Sequence, residues 1–293
     1  KHRGCWVSTR FLWTKCRIGA AESHRLHDSV RGDNGTVMLE LNSDSEAAEG
    51  TDTLVTGLDA AGFNIASGGN TPNVSGRTYA AWNWKAGTSF SNDASATSVG
   101  TIDSAGSVNT DVGFSIIGYT GTGSAATIAH GLGAAPKMII VKDRSNTNPW
   151  VVYHHSLGVQ YYSLLNDTAD PANNLSDYWS DTAPSSAVFG INTYGGNNAD
   201  GDSYISYCFA EVDGYSKFGK YLGNGAVNGT FVYTGFKPAF VMIKVWDVGE
   251  WGIYDNTRNT HNVVNKALFP NSTSAEYSGD TNRDKDFLSN GFK

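Results

Sequence analysis

Gly121, Gly123 and Ala126 in "GTGSAATIAHG" stand at the GxGxxA spacing that lets backbone N–H groups cradle a pyrophosphate. That chemistry requires a strand before the glycines and a helix opening behind them. The β-branched Thr127 and Ile128 and the breakers Gly131 and Gly133 deny the helix, so the stretch predicts a hairpin turn, and no cofactor is implied. His154–His155 and the spaced pair His24 and His27 carry metal-ligating groups. On a strand, neighbours at i, i+1 or i, i+3 point to opposite faces, so neither pair converges on one ion and no metal is expected. Glu211 with Asp213 and Glu250 with Asp255 are carboxylate pairs, and glycoside hydrolysis needs two carboxylates facing one cleft at a fixed separation. Glu211 and Asp213 share a strand face by period two, but no nucleophile elbow, HExxH or phosphate loop accompanies them. The expectation is a protein that is not an enzyme, without catalytic residues. Cys5, Cys16 and Cys208 are an odd count with no CxxC, which argues against a disulfide framework; Cys5 and Cys16 could pair, and Cys208 reads as a buried thiol.

Aromatic residues are the larger chemical signal, with 8 Trp and 14 Tyr. Indole faces beside Asn and Asp side chains stack on sugar rings. In "AAWNWKA" alternation puts Trp82 and Trp84 on one face, and both, with Trp246, depart from the repeat described next. Trp82, Trp84 and Trp246 are therefore the candidate ligand-binding residues. Trp150 and Trp251 recur in register, which favours a core role.

The elements that must position these side chains are written more than once. "PKMIIVK" at 136–142 is answered by "PAFVMIK" at 238–244, an offset of 102. Each is a short apolar run opened by proline, the pattern of a buried strand. Tyr119, Gly121 and Gly123 meet Tyr221, Gly223 and Gly225 at the same offset, and "PWVVYHH" at 149–155 meets "EWGIYDN" at 250–256. Upstream, "FLWTK" at 11–15 stands in the strand position and "SHRLHDS" at 23–29 in the Trp-strand position, while "SGRTYAAWNWK" at 75–85 matches "DGDSYISYCFAE" at 201–211, setting Tyr79 on Tyr204. A period of about 100 residues fits a small domain. The reading is a partial first module over 1–86, a polar linker over 87–112, a complete second module over 113–213 and a truncated third over 214–293. The Ser-, Thr- and Gly-rich stretch after the first module predicts a flexible joint. The short 212–221 connection predicts that modules two and three form one rigid unit. Modules short of strands have open edges that further chain or another subunit would cover.

Composition sets the class. Apolar residues are 40%, aromatic 12% and charged only 17%, with 34 Gly, an all-β profile with few helices: tandem β-sandwich, jelly-roll-like modules. No run of 18 apolar residues occurs, so no membrane insertion is expected. The net charge of −7 argues against nucleic acid, which needs a basic stripe. "KHRGCWVSTRFLWTKCR" at 1–17 is locally basic and reads as an edge strand or a seam between subunits.

The ordered set "YTGTG", "HGLGAAPKMIIVK", "SYISYCFAEVDGYSKFGKYLGNG", "FVYTGFKPAFVMIK" and "FLSNGFK", preceded by "AESHRLHDSVRG" and "SGRTYAAWNWKAG", resembles an uncharacterised β-rich domain that runs in tandem in tail-fibre-like and other virion proteins of marine bacteriophages. The resemblance covers almost the whole chain and brings no catalytic pattern. It implies a structural virion protein, a tail fibre, appendage or capsid-decorating fibre, located in the virion or outside cells. Its partners would be other virion proteins, copies of itself, most plausibly as a homo-trimer, and a host-surface glycan. The alternatives are a carbohydrate-binding module array, an extracellular filament subunit assembled by strand exchange, and a polysaccharide depolymerase.

Overall fold

The computed structural model describes residues 10–19, 21–51, 54–66, 72–173, 177–279 and 281–293. Cys5 and the basic residues Lys1 and Arg3 lie outside them. The chain is all-β, and among the described residues helix is confined to the short turns α1 (Ala94–Thr97), α2 (Gly195–Asn198) and one 3-10 turn (Thr281–Arg283).

Module one contains β1 (Phe11–Cys16), β2 (Arg25–Asp28), β3 (Leu39–Asn42), β4 (Gly50–Thr51), the hairpin β5 (Val55–Asp59) with β6 (Gly62–Ile65), and β7 (Tyr79–Trp84). Its sheet runs β4-β3-β2-β1-β7. The next strands are β8 (Thr88–Asn92), β9 (Ser104–Asn109), β10 (Phe114–Thr120), β11 (Ala126–Ala129), β12 (Pro136–Asp143), β13 (Val151–His154), β14 (Tyr161–Leu164), β15 (Ala172–Asn173), β16 (Val188–Ile191) and β17 (Ser203–Ala210). They build an antiparallel sheet of order β15-β14-β13-β12-β17-β10-β9-β8. Its first five strands repeat the module-one order. The third module has β18 (Val232–Tyr233), β19 (Phe240–Lys244), β20 (Trp251–Asp255), β21 (Phe287–Leu288) and β22 (Gly291–Phe292). Here, among the described residues, β19 pairs with β20 alone.

The period-two alternation of each repeated strand gives it two apolar faces. One face of module two packs under the β11·β16 pair around Ile139, Val141, Tyr153 and Phe189. One face of module one packs Leu12, Met38 and Val55 against the β5·β6 hairpin, and module three places Val241 and Tyr254 against Phe287 and Phe292 of β21 and β22. The opposite faces meet one another. Phe11, Trp13 and Trp82 of module one, Phe114, Ile140, Trp150 and Tyr207 of module two, and Trp251 and Ile253 of module three form a single core. The modules therefore surround a common interior.

Two expectations change. Residues 87–112 are no flexible linker: β8 pairs with β9 and β9 with β10, extending the module-two sheet. The small polar residues that look like linker chemistry let strands approach closely. A Cβ on Gly106 would lie 1.8 Å from the Ile116 carbonyl oxygen, and the buried Ser104 and Ser107 hydroxyls donate to Ala129 O and Ala86 O at 3.0 and 3.1 Å. Asp93 caps α1 by accepting from Ala96 N at 3.0 Å. Consequently module one is not set apart from a rigid pair; it packs on both other modules.

The glycine-rich stretch at 121–131 is a connection between two sheets and no hairpin, because β10 pairs with β9 and β17 while β11 pairs with β16. Its counterpart, residues 221–225, forms no strand. Gly225 nonetheless keeps φ +66° against +65° at Gly123, so the turn residue holds its conformation where the flanking strand does not form.

Candidate functional site

The seams between modules gather the buried polar chemistry of the molecule, and they repeat. At the start of the second strand of each module stand Trp150, Trp251 and His24. The Trp150 indole donates to Asn42 O at 2.9 Å and Ser45 O at 3.1 Å in module one. The Trp251 indole donates to Leu164 O of module two at 2.8 Å. The His24 ring, whose Nδ1 accepts from Trp13 at 2.9 Å, faces the Phe269 carbonyl of module three, with its Nε2 short of hydrogen-bonding geometry. Strand pairing makes Asn42, Leu164 and Phe269 equivalent. The contacts thus run round a ring: module two to one, one to three, three to two.

The lysine that ends each apolar strand follows the same ring. Lys142 Nζ donates to Glu46 O at 3.1 Å, Lys15 to Thr273 O at 2.9 Å and Lys244 to Thr168 O at 3.1 Å. The same three carbonyls accept the backbone N–H of Asn148 at 3.0 Å, Glu22 at 3.0 Å and Gly249 at 2.8 Å. Burial pushes the Lys142 ammonium down to about 8 against the pull of Asp143, Glu46 and Glu49. Carbonyl acceptors let a fully buried lysine keep its charge at neutral pH.

Carboxylates close two of the seams. Asp28, fully buried, accepts from Tyr207 of β17 at 2.7 Å and from Arg31 at 2.5 Å. Glu49 bridges Arg31 at 3.1 Å and Arg144 at 2.7 Å. In the next seam Asp255 accepts from the Trp82 indole of β7 at 3.1 Å and from Arg258 at 2.6 Å, and Glu276 bridges Arg258 at 3.1 Å and Arg17 at 2.8 Å. Burial, the largest influence, raises both aspartates, but the guanidinium, the arginine's backbone N–H and the Tyr207 or Trp82 donor together outweigh it and hold each carboxyl below its ordinary range. The third seam carries His154, Leu157, Pro171 and Trp246 at these positions; among the described residues no aromatic strand reaches His154 as Tyr207 reaches Asp28, and the Phe218 ring lies 6.5 Å from it.

That third seam is open. β12 is buried almost throughout, whereas in β19 only Val241 is buried. In module two, β17 lies along the β12 edge; among the described residues no strand lies along the equivalent edge of β19. Beside it a groove of about 210 Å³ is lined by Tyr221, Ile243 and Tyr254 and by the charged Glu250, Arg283 and Lys285. The counterparts of the first three, Tyr119, Val141 and Tyr153, pack around Tyr204 and Cys208 of β17.

The residues singled out for ligand contact do not share a surface. Trp82 is buried in the common core, and Trp84 packs against it 5.8 Å from Phe240; alternation placed them on one face, and that face is the interior. Trp246 is 53% exposed with its ring 5.4 Å from Tyr161. Trp150 and Trp251 are core residues as expected. Of the carboxylate pairs, Glu211 takes Lys217 and the Phe218 N–H, Glu250 takes Asn271, and Asp255 belongs to its seam. No group of three His, Cys, Asp or Glu placed to hold a metal occurs among the described residues. Cys208 is fully buried, its thiol pushed up to about 12 by burial. β1 lies between β2 and β7 and is not an edge strand; Lys15 and Arg17, part of the basic N-terminal run, hold the seam to module three. Sequence reasoning missed the buried lysines, although their recurrence after each apolar run was the signal that could have found them.

Over residues 2–293 the sequence matches the Domain of unknown function (DUF7483). The chain belongs to the DUF7483 family. No curated protein and no solved structure matches it. No helix among the described residues is long and apolar enough to cross a membrane.

Proposed function

We propose that this DUF7483 chain is a structural protein of a bacteriophage virion, a tail fibre, appendage or capsid-decorating fibre, rather than an enzyme. One observation supports it most: buried charged groups occupy equivalent positions in different modules, Lys15 with Lys142 and Asp28 with Asp255, and bond across the seams. A catalytic group has no reason to recur at each joint, while a body that must stay rigid does. The virion setting comes from the sequence resemblance. On this reading a homo-oligomer, with a trimer favoured, joins whole three-module bodies to each other and to other virion proteins.

A second reading, contact with a host-surface glycan, draws on Trp246, exposed beside Tyr161 and able to offer a ring face to a sugar. The assembly reading is tested by mass spectrometry and antibody labelling of purified particles. Peptides of this chain in the banded particles, with label on a fibre or shell, are the expected result; recovery only in the unassembled fraction overturns it. For the glycan reading, a polysaccharide titration should quench Trp fluorescence in the native protein and fail to do so in Trp246→Ala.

A further inference from the structure

The seam between modules one and three is closed by a residue that titrates. Aligned on the lysine that ends each apolar strand, Trp13, Ile140 and Met242 are equivalent, as are His24, Trp150 and Trp251. In modules two and three an aliphatic side chain on the first strand goes with an indole on the second. Module one exchanges them, with the indole on β1 and an imidazole in the position that reaches the next module. His24 is fully buried. The Trp13 indole is a donor only, so its 2.9 Å bond to His24 Nδ1 requires a bare Nδ1 and places the ring proton on Nε2. That Nε2–H faces the Phe269 carbonyl of module three outside hydrogen-bonding geometry. A second proton can enter only at Nδ1, where it would confront the indole N–H, two donors pointed at each other inside the core.

The surroundings do not stabilise the resulting cation. β1 presents Lys15, its Nζ bonded to Thr273 O at 2.9 Å, and module three presents Arg258; both repel a charged ring. The carboxylates at hand are engaged elsewhere. Asp44, on the turn after β3, accepts the His24 backbone N–H at 2.7 Å, and Glu22 holds Arg77 at 2.5 Å. Glu276 bridges Arg258 and Arg17, while Asp255 takes Arg258 and the Trp82 indole. His27, further along β2, lies 3.7 Å from Glu40.

We infer that the Trp13–His24 pair is an acid-sensitive latch: protonation at Nδ1 expels the ring and opens the seam between modules one and three, while the seam closed by Trp150 stays shut. An indole has no such transition. Burial first, then Lys15 and Arg258, hold the His24 ring below its ordinary 6.5, so the closed seam refuses a proton that the opened one takes. Closure is therefore fully supported above pH 6.5 and loosens as the pH falls. Asp44, raised by burial, acts with the opposite sign, because the closed seam takes up its proton first. Asp255 and Glu276, held below their ordinary 3.8 and 4.5, keep their ion pairs charged down to pH 4.5, which leaves His24 to act between pH 6.5 and 4.5.

Acid opening neither needs nor follows from the virion reading, so the two fail separately. The 293-residue chain is followed by hydrogen exchange across that window, with intrinsic rates divided out. The reporter amides are Glu22, bonded to Thr273 O at 3.0 Å, and Glu276, bonded to Arg17 O at 2.9 Å. Protection there should fall about tenfold per pH unit, the effect of one proton. Asn148 and Glu49, bonded to Glu46 O and Arg144 O across the seam of modules one and two, should hold theirs. In His24→Gln, whose amide can accept from Trp13 and donate to Phe269 without titrating, the fall should vanish. A nitrogen NMR spectrum of the native ring supplies a second readout that needs no variant, with a bare Nδ1 and a protonated Nε2 expected at neutral pH. Flat protection in the native chain, an equal fall in His24→Gln, an equal fall at Asn148 and Glu49, or a ring protonated on Nδ1 at neutral pH overturns the inference.

Discussion

β12 and β19 are close copies in sequence, PKMIIVK against PAFVMIK, yet one is a central strand and the other an edge. β12 has β13 on one side and β17 on the other; among the described residues β19 has only β20. The seam beyond β12 is ionic, built on Asp28, Arg31, Glu49 and Arg144. The seam beyond β19 carries His154, Leu157, Pro171 and Trp246 instead. Sharing the indole and lysine contacts is enough to dock the third module. Sealing the joint takes the additional aromatic strand and its carboxylate partner.

Hydrogen exchange should separate the two strands most widely. The amides of Met138, Ile140 and Lys142 should be protected about a thousandfold or more over those of Phe240, Met242 and Lys244; equal protection would break the comparison. Next in size, Trp150→Ala removes a fully buried ring and strands two carbonyls, and should cost about 4 kcal/mol in urea unfolding. Trp251→Ala, on the open seam, should cost about 1 kcal/mol less. Asp28→Asn leaves the buried Arg31 guanidinium with Glu49 alone as counter-charge, an expected loss of about 3 kcal/mol. His154→Asn, where no ion pair exists, should stay within about 1 kcal/mol.

The pH dependence sharpens the seam between modules one and three, where an imidazole replaces an indole. Burial, then Lys15, holds His24 well below its ordinary value of 6.5. The unfolded chain therefore binds a proton that the folded chain refuses, so His24 contributes stability that is complete above pH 6.5 and declines as pH falls below it. Unfolding midpoints between pH 6.5 and 4.5 should show a slope that His24→Gln reduces by about 1 kcal/mol per pH unit. His130 and His154, both pushed down to about 4 by burial, keep a slope of the same sign in the variant. The smallest effect belongs to Trp246→Ala, expected within about 0.5 kcal/mol, against about 1 kcal/mol for Arg144→Ala at the equivalent position in the ionic seam. A larger loss at Trp246 would mean that the open seam is already sealed.

Much of the fold was legible because strands repeat with their spacing. The 102-residue offset located β12 and β19, Tyr79 on Tyr204 located β7 and β17, and the core role of Trp150 and Trp251 followed from their register. What misled was composition. Small polar residues between 87 and 112 read as a linker, since local chemistry does not distinguish a solvated Ser from one whose hydroxyl is bonded inside a sheet, as in Ser104. Trp82 and Trp84 depart from the repeat, a departure that reads as surface. Trp82 departs because its partner is Asp255 across a seam, where Tyr207 in the same place meets Asp28.

By itself the sequence determined the class, the strands, the repeat and the two-faced alternation within each strand, because these depend on residues near one another in the chain. Only the tertiary structure decided that the second face of every module turns inward on a common core. It also decided that each module's Trp or His and its lysine reach the next module round a ring, and that β19 keeps an unpaired edge. Those contacts join residues such as Lys15 and Thr273, 258 positions apart, and a periodicity that shows which side of a strand is apolar carries no information about what that side will meet.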